Sequence, residues 1–277
     1  MTTIRLRDCD FSYGLEGEGA GAGAGEGAGA GKATPFVWGH GLTSSRASED
    51  RMPLVDCSRL TSARQVLRYD ARGHGESGDL MRPAEGAWSE LALDQIALID
   101  ALGFDKVALG GASMGTATAL HAALQLGDRV ERLILTIPPT AWASRAEQIG
   151  LYEQMAQAVE AQGIAPLVHG AKTMPPPDPF IGDTDYVERR VEGLEAADTV
   201  RLASMFRGAG HADLPGEDAL PALTMPALIL AWTGDTGHPV STAERLGELL
   251  PNSQVVLAST RAELDTWTQQ CVDFLND

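Results

Sequence analysis

The amino-acid sequence predicts an α/β fold, with a mostly parallel sheet that is covered by helices on both faces. Short apolar strands alternate along the chain with segments whose apolar residues recur at helical spacing. This alternation is typical of β-α-β units, in which parallel strands are buried between two layers of helices. The length of 277 residues suffices for one such domain with an inserted segment, or for two small domains.

The expected elements follow one another in a regular order. The first seven residues alternate as a strand does. Further strands are predicted at residues 35–38, 65–69, 106–109, 130–137, 226–232 and 254–258. Helices are predicted at residues 89–102 and 116–124, after Pro239, and at residues 263–275.

The alternation stops between residues 138 and 220. Here the sequence predicts helices at residues 146–161 and 186–206, separated by a proline-rich loop at residues 168–182. Because this segment lies between two strands of the sheet, we expect it to form a helical lid over the strand ends. The core is then expected to comprise residues 1–137 and 221–277.

Residues 16–31 form a low-complexity run of glycine, alanine and glutamate. Glycine at every second position disfavours a helix and leaves a strand with nothing to pack, so we expect a flexible loop. The end of this run is close to the spacing of a phosphate-binding loop. However, Lys32 is followed by Ala33 rather than by serine or threonine, and the next segment is a strand rather than a helix. A nucleotide site is therefore not predicted.

A G-x-S-x-G pattern spans Gly111 to Gly115, between a predicted strand and a predicted helix. In this context the pattern is typical of a nucleophile elbow, a sharp turn that lifts one serine hydroxyl above the end of a sheet. A side chain at either glycine would crowd the turn. Ser113 is therefore the candidate nucleophile.

Other segments accompany the elbow in a definite order. They are His40-Gly41-Leu42, the D-x-R-G-x-G-x-S pattern at residues 70–77, Pro138-Pro139, and Gly234-Asp235 after the strand ending at Trp232. Together they resemble the α/β-hydrolase fold family over nearly the whole chain outside residues 16–31. The resemblance implies that Ser113 is the nucleophile and Asp235 the acid of a catalytic triad. It also implies that the backbone N–H groups of Leu42 and Met114 form an oxyanion hole.

The chain departs from the family pattern at the general base. Members of the family keep a histidine after the last strand, but residues 258–265 contain none, and the last histidine of the chain is His238. His238 lies three residues after Asp235 and is the first candidate for a relocated base, or else it caps the following helix. Other candidates are His40, which in such motifs usually supports the oxyanion loop, and His169 and His211.

The inserted segment suggests an apolar substrate pocket. Its candidate residues are Trp142 and Met174, with Tyr152, Met155, Phe180 and Met205, and His40 is expected close to the site. Packing of the inserted helices onto the core is the alternative role for most of them. A lidded apolar pocket would favour a small or medium hydrophobic acyl compound.

Charge and cysteine content narrow the range of partners and compartments. The net charge of −17 disfavours binding to nucleic acid or to an anionic membrane surface. No apolar run approaches the length of a membrane span, and the N-terminus lacks the apolar core of a signal peptide. Three widely spaced cysteines argue against disulfides and for the cytoplasm. No metal or other cofactor is expected, because no ligand-type spacing is present.

The first functional hypothesis is a cytoplasmic serine hydrolase of an ester, lactone or thioester, with Ser113, His238 and Asp235 as its triad. A second is a relative that has lost hydrolysis and binds a small molecule. A third is a lyase or isomerase that uses the oxyanion hole without an acyl-enzyme. The absent C-terminal histidine favours the second and third. The intact elbow favours the first. The oligomeric state stays open, and in a homodimer the second subunit could supply the base.

Overall fold

A computed structural model describes residues 2–17, 33–61 and 64–277 of the chain. Within these ranges, eight strands form one sheet in the order β1-β2-β4-β3-β5-β6-β7-β8. The strands are β1 (Thr2–Leu6), β2 (Cys9–Glu16), β3 (Phe36–Gly39), β4 (Val66–Tyr69), β5 (Val107–Ala112), β6 (Val130–Thr136), β7 (Ala227–Trp232) and β8 (Ser253–Ala258). The predicted α/β class is confirmed.

The sheet is parallel except at one edge. Strands β1 and β2 pair antiparallel, as do β2 and β4, whereas every pair from β4 to β8 is parallel. The parallel strands therefore end at a common edge, where the loops after Gly39, Tyr69, Ala112 and Trp232 meet. Loops at the carboxyl ends of parallel strands are where such folds build their binding sites.

Helices cover both faces of the sheet. They are α1 (Arg46–Arg51), α2 (Trp88–Ala101), α3 (Met114–Leu126), α8 (Val240–Leu249), α9 (Arg261–Leu264) and α10 (Trp267–Asn276). Val37 packs in one core cluster with residues of α2, α3 and α8. Its neighbours Phe36 and Trp38 pack in a second cluster with residues of α10. Successive side chains of a strand point to opposite faces, so one short apolar run serves both layers.

The segment between β6 and β7 contains four further helices. They are α4 (Arg145–Gln162), α5 (Ala165–Thr173), α6 (Thr184–Glu195) and α7 (Thr199–Ala209). Helices α4 and α7 share a small core of their own, which includes Val159, Leu202 and Phe206. This core explains how a segment outside the sheet holds its helices together.

Three predicted boundaries in the sequence were wrong, and local hydrogen bonds explain two of them. The expected helix at 186–206 is interrupted because the Asp198 side chain accepts hydrogen bonds from the N–H groups of Val200 and Arg201 and so begins α7. The expected closing helix begins earlier, at a capping box between Thr260 and Glu263, and divides into α9 and α10. The expected loop at 168–182 begins within α5, a nine-residue helix.

The glycine-rich loop predicted at residues 16–31 lies outside the described residues, except for its first two positions. Across the ranges that are described, no helix combines the length and apolar character needed to span a membrane. Cys9, Cys57 and Cys271 are buried free thiols.

Candidate active site

Ser113 occupies a strained turn between β5 and α3. Its backbone has φ of 52° and ψ of −106°, in a region that residues with a side chain rarely adopt. The turn lies close to β3: a Cβ atom added at Gly115 would overlap the carbonyl oxygen of Gly39, and one added at Gly111 would lie 2.6 Å from that same oxygen. Both glycines of the G-x-S-x-G pattern are therefore required by the close approach of two backbones.

The structure brings Ser113, His238 and Asp235 into one hydrogen-bonded chain. The Ser113 Oγ lies 2.8 Å from His238 Nε2, and His238 Nδ1 lies 2.8 Å from Asp235 Oδ2. An ionised carboxylate only accepts hydrogen bonds, so the partners assign the proton to Nδ1 and leave Nε2 to accept from the serine hydroxyl. This tautomer is the one a general base requires.

The alternative role for His238, capping of the next helix, is not observed. Helix α8 has Pro239 as its N-cap and no side-chain capping bond. The imidazole instead faces the end of β5, 125 positions away in sequence. His238 thus lies between Asp235 and Ser113, and it comes from the same loop as Asp235.

Several donors surround Asp235. Its Oδ2 accepts a second hydrogen bond from Trp232 Nε1 at 2.9 Å, and its Oδ1 accepts one from the N–H of Gly237 at 2.9 Å. Burial alone would raise the pKa of this carboxyl. The hydrogen bonds and charge of His238, with the Trp232 and Gly237 donors, outweigh burial and lower the pKa to about 2. Asp235 is therefore a stable anion beneath the imidazole.

Of the two residues predicted for an oxyanion hole, Met114 follows Ser113 in sequence, and Leu42 follows a residue that lies close to Ser113 in space. Met114 is the first residue of the 13-residue helix α3, where N–H groups have no intrahelical partners. Gly41, which precedes Leu42, lies near Ser113, since a Cβ atom added at Gly41 would be 3.8 Å from the Ser113 Cβ. Leu42 follows Gly41 in a tight turn closed by a hydrogen bond from the N–H of Ser44 to the Gly41 carbonyl.

His40 holds the loop that follows β3, and both of its ring nitrogens bind groups other than Ser113. Its Nδ1 donates to the Gly41 carbonyl at 2.8 Å, and its Nε2 accepts from the N–H of Ala71 at 2.9 Å. Both ring nitrogens are thus occupied, and burial lowers the pKa of the imidazole, which keeps it neutral. His40 connects the loops that follow β3 and β4. The other candidates, His169 and His211, are exposed.

A cavity of about 490 Å³ opens beside Ser113 and His238. Its apolar wall includes Leu42, Leu54, Ile137, Phe180, Tyr186 and Trp232. Its charged lining consists of Glu49, Arg51, Arg189, Arg261 and Asp265. A volume of this size suits a small organic molecule.

The three residues predicted for the pocket lie elsewhere, and the lining of this cavity includes none of them. Met174 ends α5 and is 62% exposed. Trp142 turns away from the cavity, because its indole Nε1 donates to the Pro215 carbonyl at 2.9 Å. His40 is buried behind the oxyanion loop. Of the apolar candidates in the inserted segment, Phe180 lines the cavity.

The inserted segment is tied to the loop that carries Asp235 and His238. The N–H of Asp178 donates to the Thr233 carbonyl at 2.9 Å, and the Thr233 hydroxyl donates to the Asp178 carboxylate at 2.6 Å. The N–H of Thr140 donates to the Gly237 carbonyl at 3.1 Å. Sequence reasoning missed these contacts and the Trp232 donor, because no local pattern pairs residues so far apart.

Among the described residues there is no cluster of three or more histidine, cysteine or acidic side chains able to hold a metal ion.

Comparison with known proteins places these features in context. A family model described as the alpha/beta hydrolase family matches residues 27–263. Among curated proteins, 3-oxoadipate enol-lactonase 1 of Acinetobacter baylyi is 28% identical over 202 residues, which cover 72% of this chain and 71% of that protein.

Solved structures with the same fold cover nearly the entire chain. The enol-lactonase from Burkholderia xenovorans LB400 superposes with a TM-score of 0.78 at 22% identity, over 100% of both chains. A thermophilic esterase from Thermogutta terrifontis has a TM-score of 0.78 at 22% identity, over 99% of this chain and 96% of that one. At this level of identity the likeness concerns the fold alone.

Proposed function

We propose that this chain, which belongs to the alpha/beta hydrolase family, is a serine hydrolase that forms an acyl-enzyme on Ser113. The observation that carries the proposal is the unbroken chain of hydrogen bonds from Ser113 through His238 to Asp235. A serine hydroxyl is a weak nucleophile until a base takes its proton, and this arrangement provides such a base.

In the first half of the reaction, His238 Nε2 takes the proton as Ser113 Oγ attacks the carbonyl carbon of the substrate. The carbonyl oxygen becomes negative, and the N–H groups of Leu42 and Met114 stabilise it. His238 then returns the proton to the leaving oxygen or sulfur, which departs and leaves the acyl group on Ser113. In the second half, water attacks the acyl-enzyme by the same steps, with His238 as base and then as acid.

Asp235 keeps the imidazole in the productive tautomer and stabilises the imidazolium that forms. Its pKa of about 2 supports this role, because the carboxylate stays ionised throughout the reaction. The Trp232 N–H binds the same carboxylate oxygen as the imidazole, and the Gly237 N–H binds the other oxygen, so both oxygens are held in place.

His238 supplies the general base in place of the histidine that residues 258–265 lack. In this proposal, acid and base come from one loop, three residues apart, instead of from two successive loops. An imidazole nitrogen 2.8 Å from the Ser113 hydroxyl favours hydrolysis over a pure binding protein or a lyase or isomerase, neither of which needs an activated serine.

The substrate class follows from the cavity and from the relatives. The apolar wall, with Phe180, Tyr186 and Trp232, suits a small or medium hydrophobic ester, lactone or thioester. The similarity to an enol-lactonase supports a lactone or ester within this class.

Residues 138–220 act as the lid of this site, above a core formed by residues 1–137 and 221–277. Support comes from Phe180 and Tyr186, which belong to this segment and line the cavity. The hydrogen bonds between Asp178 and Thr233 support it further, because they couple the segment to the catalytic loop.

Labelling by a fluorophosphonate probe tests the proposal, with the labelled residue identified by mass spectrometry. The wild type and the control His211→Ala, which removes an exposed imidazole, should label rapidly at Ser113. The variant His238→Ala should label at least ~10³-fold more slowly, since loss of the triad histidine in a serine protease costs about a million-fold in kcat.

Two results would contradict this assignment. If the folded wild type does not label, Ser113 is not activated, and a binding protein or a non-hydrolytic enzyme becomes the better hypothesis. If His238→Ala labels as fast as the wild type, another group is the base.

A further inference from the structure

The charged lining of the cavity is more basic than the chain as a whole. Acidic residues outnumber lysine and arginine by 38 to 21 in the sequence. Yet the five charged side chains of the cavity lining include three arginines, Arg51, Arg189 and Arg261. An acidic protein repels anions in general, so the cavity differs in charge from the chain as a whole.

Arg261 is already neutralised. Its Nε lies 2.7 Å from Asp265 Oδ1, and its Nη1 lies 3.2 Å from Asp183 Oδ2. The same ion pair neutralises Asp265, which together with Glu49 makes up the acidic residues of the lining.

Arg189 differs from Arg261 in its partners. Among the described residues, the nearest carboxylate is Asp185 at 3.9 Å, and Asp185 itself is 73% exposed. Such a contact is long and screened by water. The Nε group of Arg189 is buried and has no hydrogen-bond partner within the described part of the chain. A buried N–H of a guanidinium without a partner in the protein is costly unless a ligand or a water molecule supplies the acceptor.

The remaining acidic residue opposes an anion only weakly. Glu49 accepts a hydrogen bond from Trp38 Nε1 at 2.9 Å. Burial raises the pKa of Glu49 to about 7, so at or below neutral pH much of it is uncharged. Arg51, at the end of α1, has no carboxylate within 4.0 Å among the residues described and adds positive charge to the same cavity.

We propose that the substrate carries a carboxylate, and that Arg189 binds it while Ser113 attacks an ester or lactone bond elsewhere in the same molecule. This inference rests on the proposed function and deepens it. A planar guanidinium matches a carboxylate in shape and charge, and Arg51 adds to the attraction. The apolar residues of the same lining accommodate the hydrocarbon part of the substrate.

Paired substrates test the proposal. One series consists of mono-p-nitrophenyl esters of succinic, glutaric and adipic acid, which carry a free carboxylate. The other consists of the same compounds with that carboxylate methylated. The wild type should show a kcat/KM at least about tenfold higher for the best anionic ester than for its neutral partner, and this preference should shrink as sodium chloride is added.

Three variants assign the effect to Arg189. Arg189→Met should raise KM for the anionic ester by about 10- to 30-fold and leave kcat and the neutral ester nearly unchanged. Arg189→Lys should recover part of the loss, because it keeps the charge but not the fork of donors. The control Lys172→Met removes one positive charge from α5, outside the cavity lining, and should change neither.

A binding experiment separates this inference from the proposed function. Calorimetric titration of the Ser113→Ala variant with monomethyl adipate should show binding that Arg189→Met abolishes, whether or not the wild type hydrolyses esters. If neutral and anionic esters react equally well and Arg189→Met changes neither turnover nor binding, the inference is overturned while the hydrolase proposal stands. If Ser113 is not labelled but the anion binds through Arg189, the hydrolase proposal fails and the anion site remains.

Discussion

The indole Nε1 of Trp232 donates a hydrogen bond to Asp235 Oδ2, the same oxygen that lies 2.8 Å from His238 Nδ1. Trp232 is the last residue of β7, and its ring packs edge-on against His238, with 6.3 Å between the ring centroids. The ring also stacks on Trp267, at a centroid distance of 6.1 Å. A side chain anchored in the core thus fixes the carboxylate that binds the His238 imidazole.

Replacement of Trp232 by phenylalanine tests this positioning role. Trp232→Phe keeps an aromatic ring but removes the N–H donor to Asp235. We expect kcat for ester hydrolysis to fall by about tenfold with little change in KM, because one hydrogen bond to a charged group is lost. Steady-state kinetics measure the effect, and Trp142→Phe is the matched control, since its indole donates to Pro215 instead. Equal kcat in both variants would remove Trp232 from the catalytic arrangement.

The second prediction concerns the hydrogen bond between Asp178 and Thr233, which joins the inserted segment to the loop that carries Asp235 and His238. Asp178→Ala removes the acceptor of the Thr233 hydroxyl but keeps the backbone bond between the two residues. Residues 233–238 should then exchange their amide hydrogens faster, and labelling of Ser113 should slow by about 3- to 10-fold. Hydrogen exchange and probe kinetics measure the two effects. Glu188→Ala, on an exposed position of α6, should alter neither.

Two glycines give opposite predictions for stability. At Gly115 a Cβ atom would overlap the Gly39 carbonyl, so Gly115→Ala should lower the free energy of unfolding by more than about 3 kcal/mol or prevent folding. At Gly150, inside α4, a Cβ atom would meet nothing within 4 Å. Gly150→Ala should therefore stabilise the protein by about 0.5–1 kcal/mol, through its higher helix propensity. Urea unfolding of both variants measures the difference, and equal effects would refute the close approach of β3 and α3.

The raised pKa of Glu49 predicts that the stability of the fold depends on pH. Burial raises its pKa from 4.5 to about 7, despite the opposing hydrogen bond from Trp38. Between these values the unfolded chain has released a proton that the folded protein still binds, so the folded state loses stability as pH rises through this window. The unfolding free energy of the wild type relative to Glu49→Gln should fall by up to about 3 kcal/mol between pH 4.5 and 7.

Urea titrations at pH 4.5, 6 and 7.5 measure this effect. Glu188→Gln serves as the control because Glu188 is exposed, and its difference from the wild type should stay constant with pH. A constant difference for Glu49→Gln as well would show that Glu49 titrates alike in the folded and unfolded chain.

Much of the fold was predictable because its determinants are local. The strands from β3 to β7 are short, mostly apolar runs, and burial on both faces of a sheet requires such runs. The boundaries in the inserted segment and at the closing helix were less predictable. A single capping side chain, such as that of Asp198, decides where one helix ends and the next begins, and periodicity does not detect it.

The sequence by itself determined the α/β class and the location of Ser113 at a strained turn. Five residues, the G-x-S-x-G pattern, encode the elbow, because both of its glycines are required where two backbones approach closely. The sequence also limited the candidates for the general base to a few histidines. Only the tertiary structure decided which of these histidines lies beside Ser113, because the distance between Ser113 and His238 depends on two loops that meet at the carboxyl edge of the sheet.

The tertiary structure also decided the composition of the cavity. The exposure of Met174 and the burial of His40 depend on which way each loop turns, and no local pattern records that direction. The same holds for Arg189, which comes from the inserted segment and meets Ser113 in one cavity only after the chain has folded. Residue type and spacing determine which chemistry is available, whereas packing between distant segments determines which groups come close enough to use it.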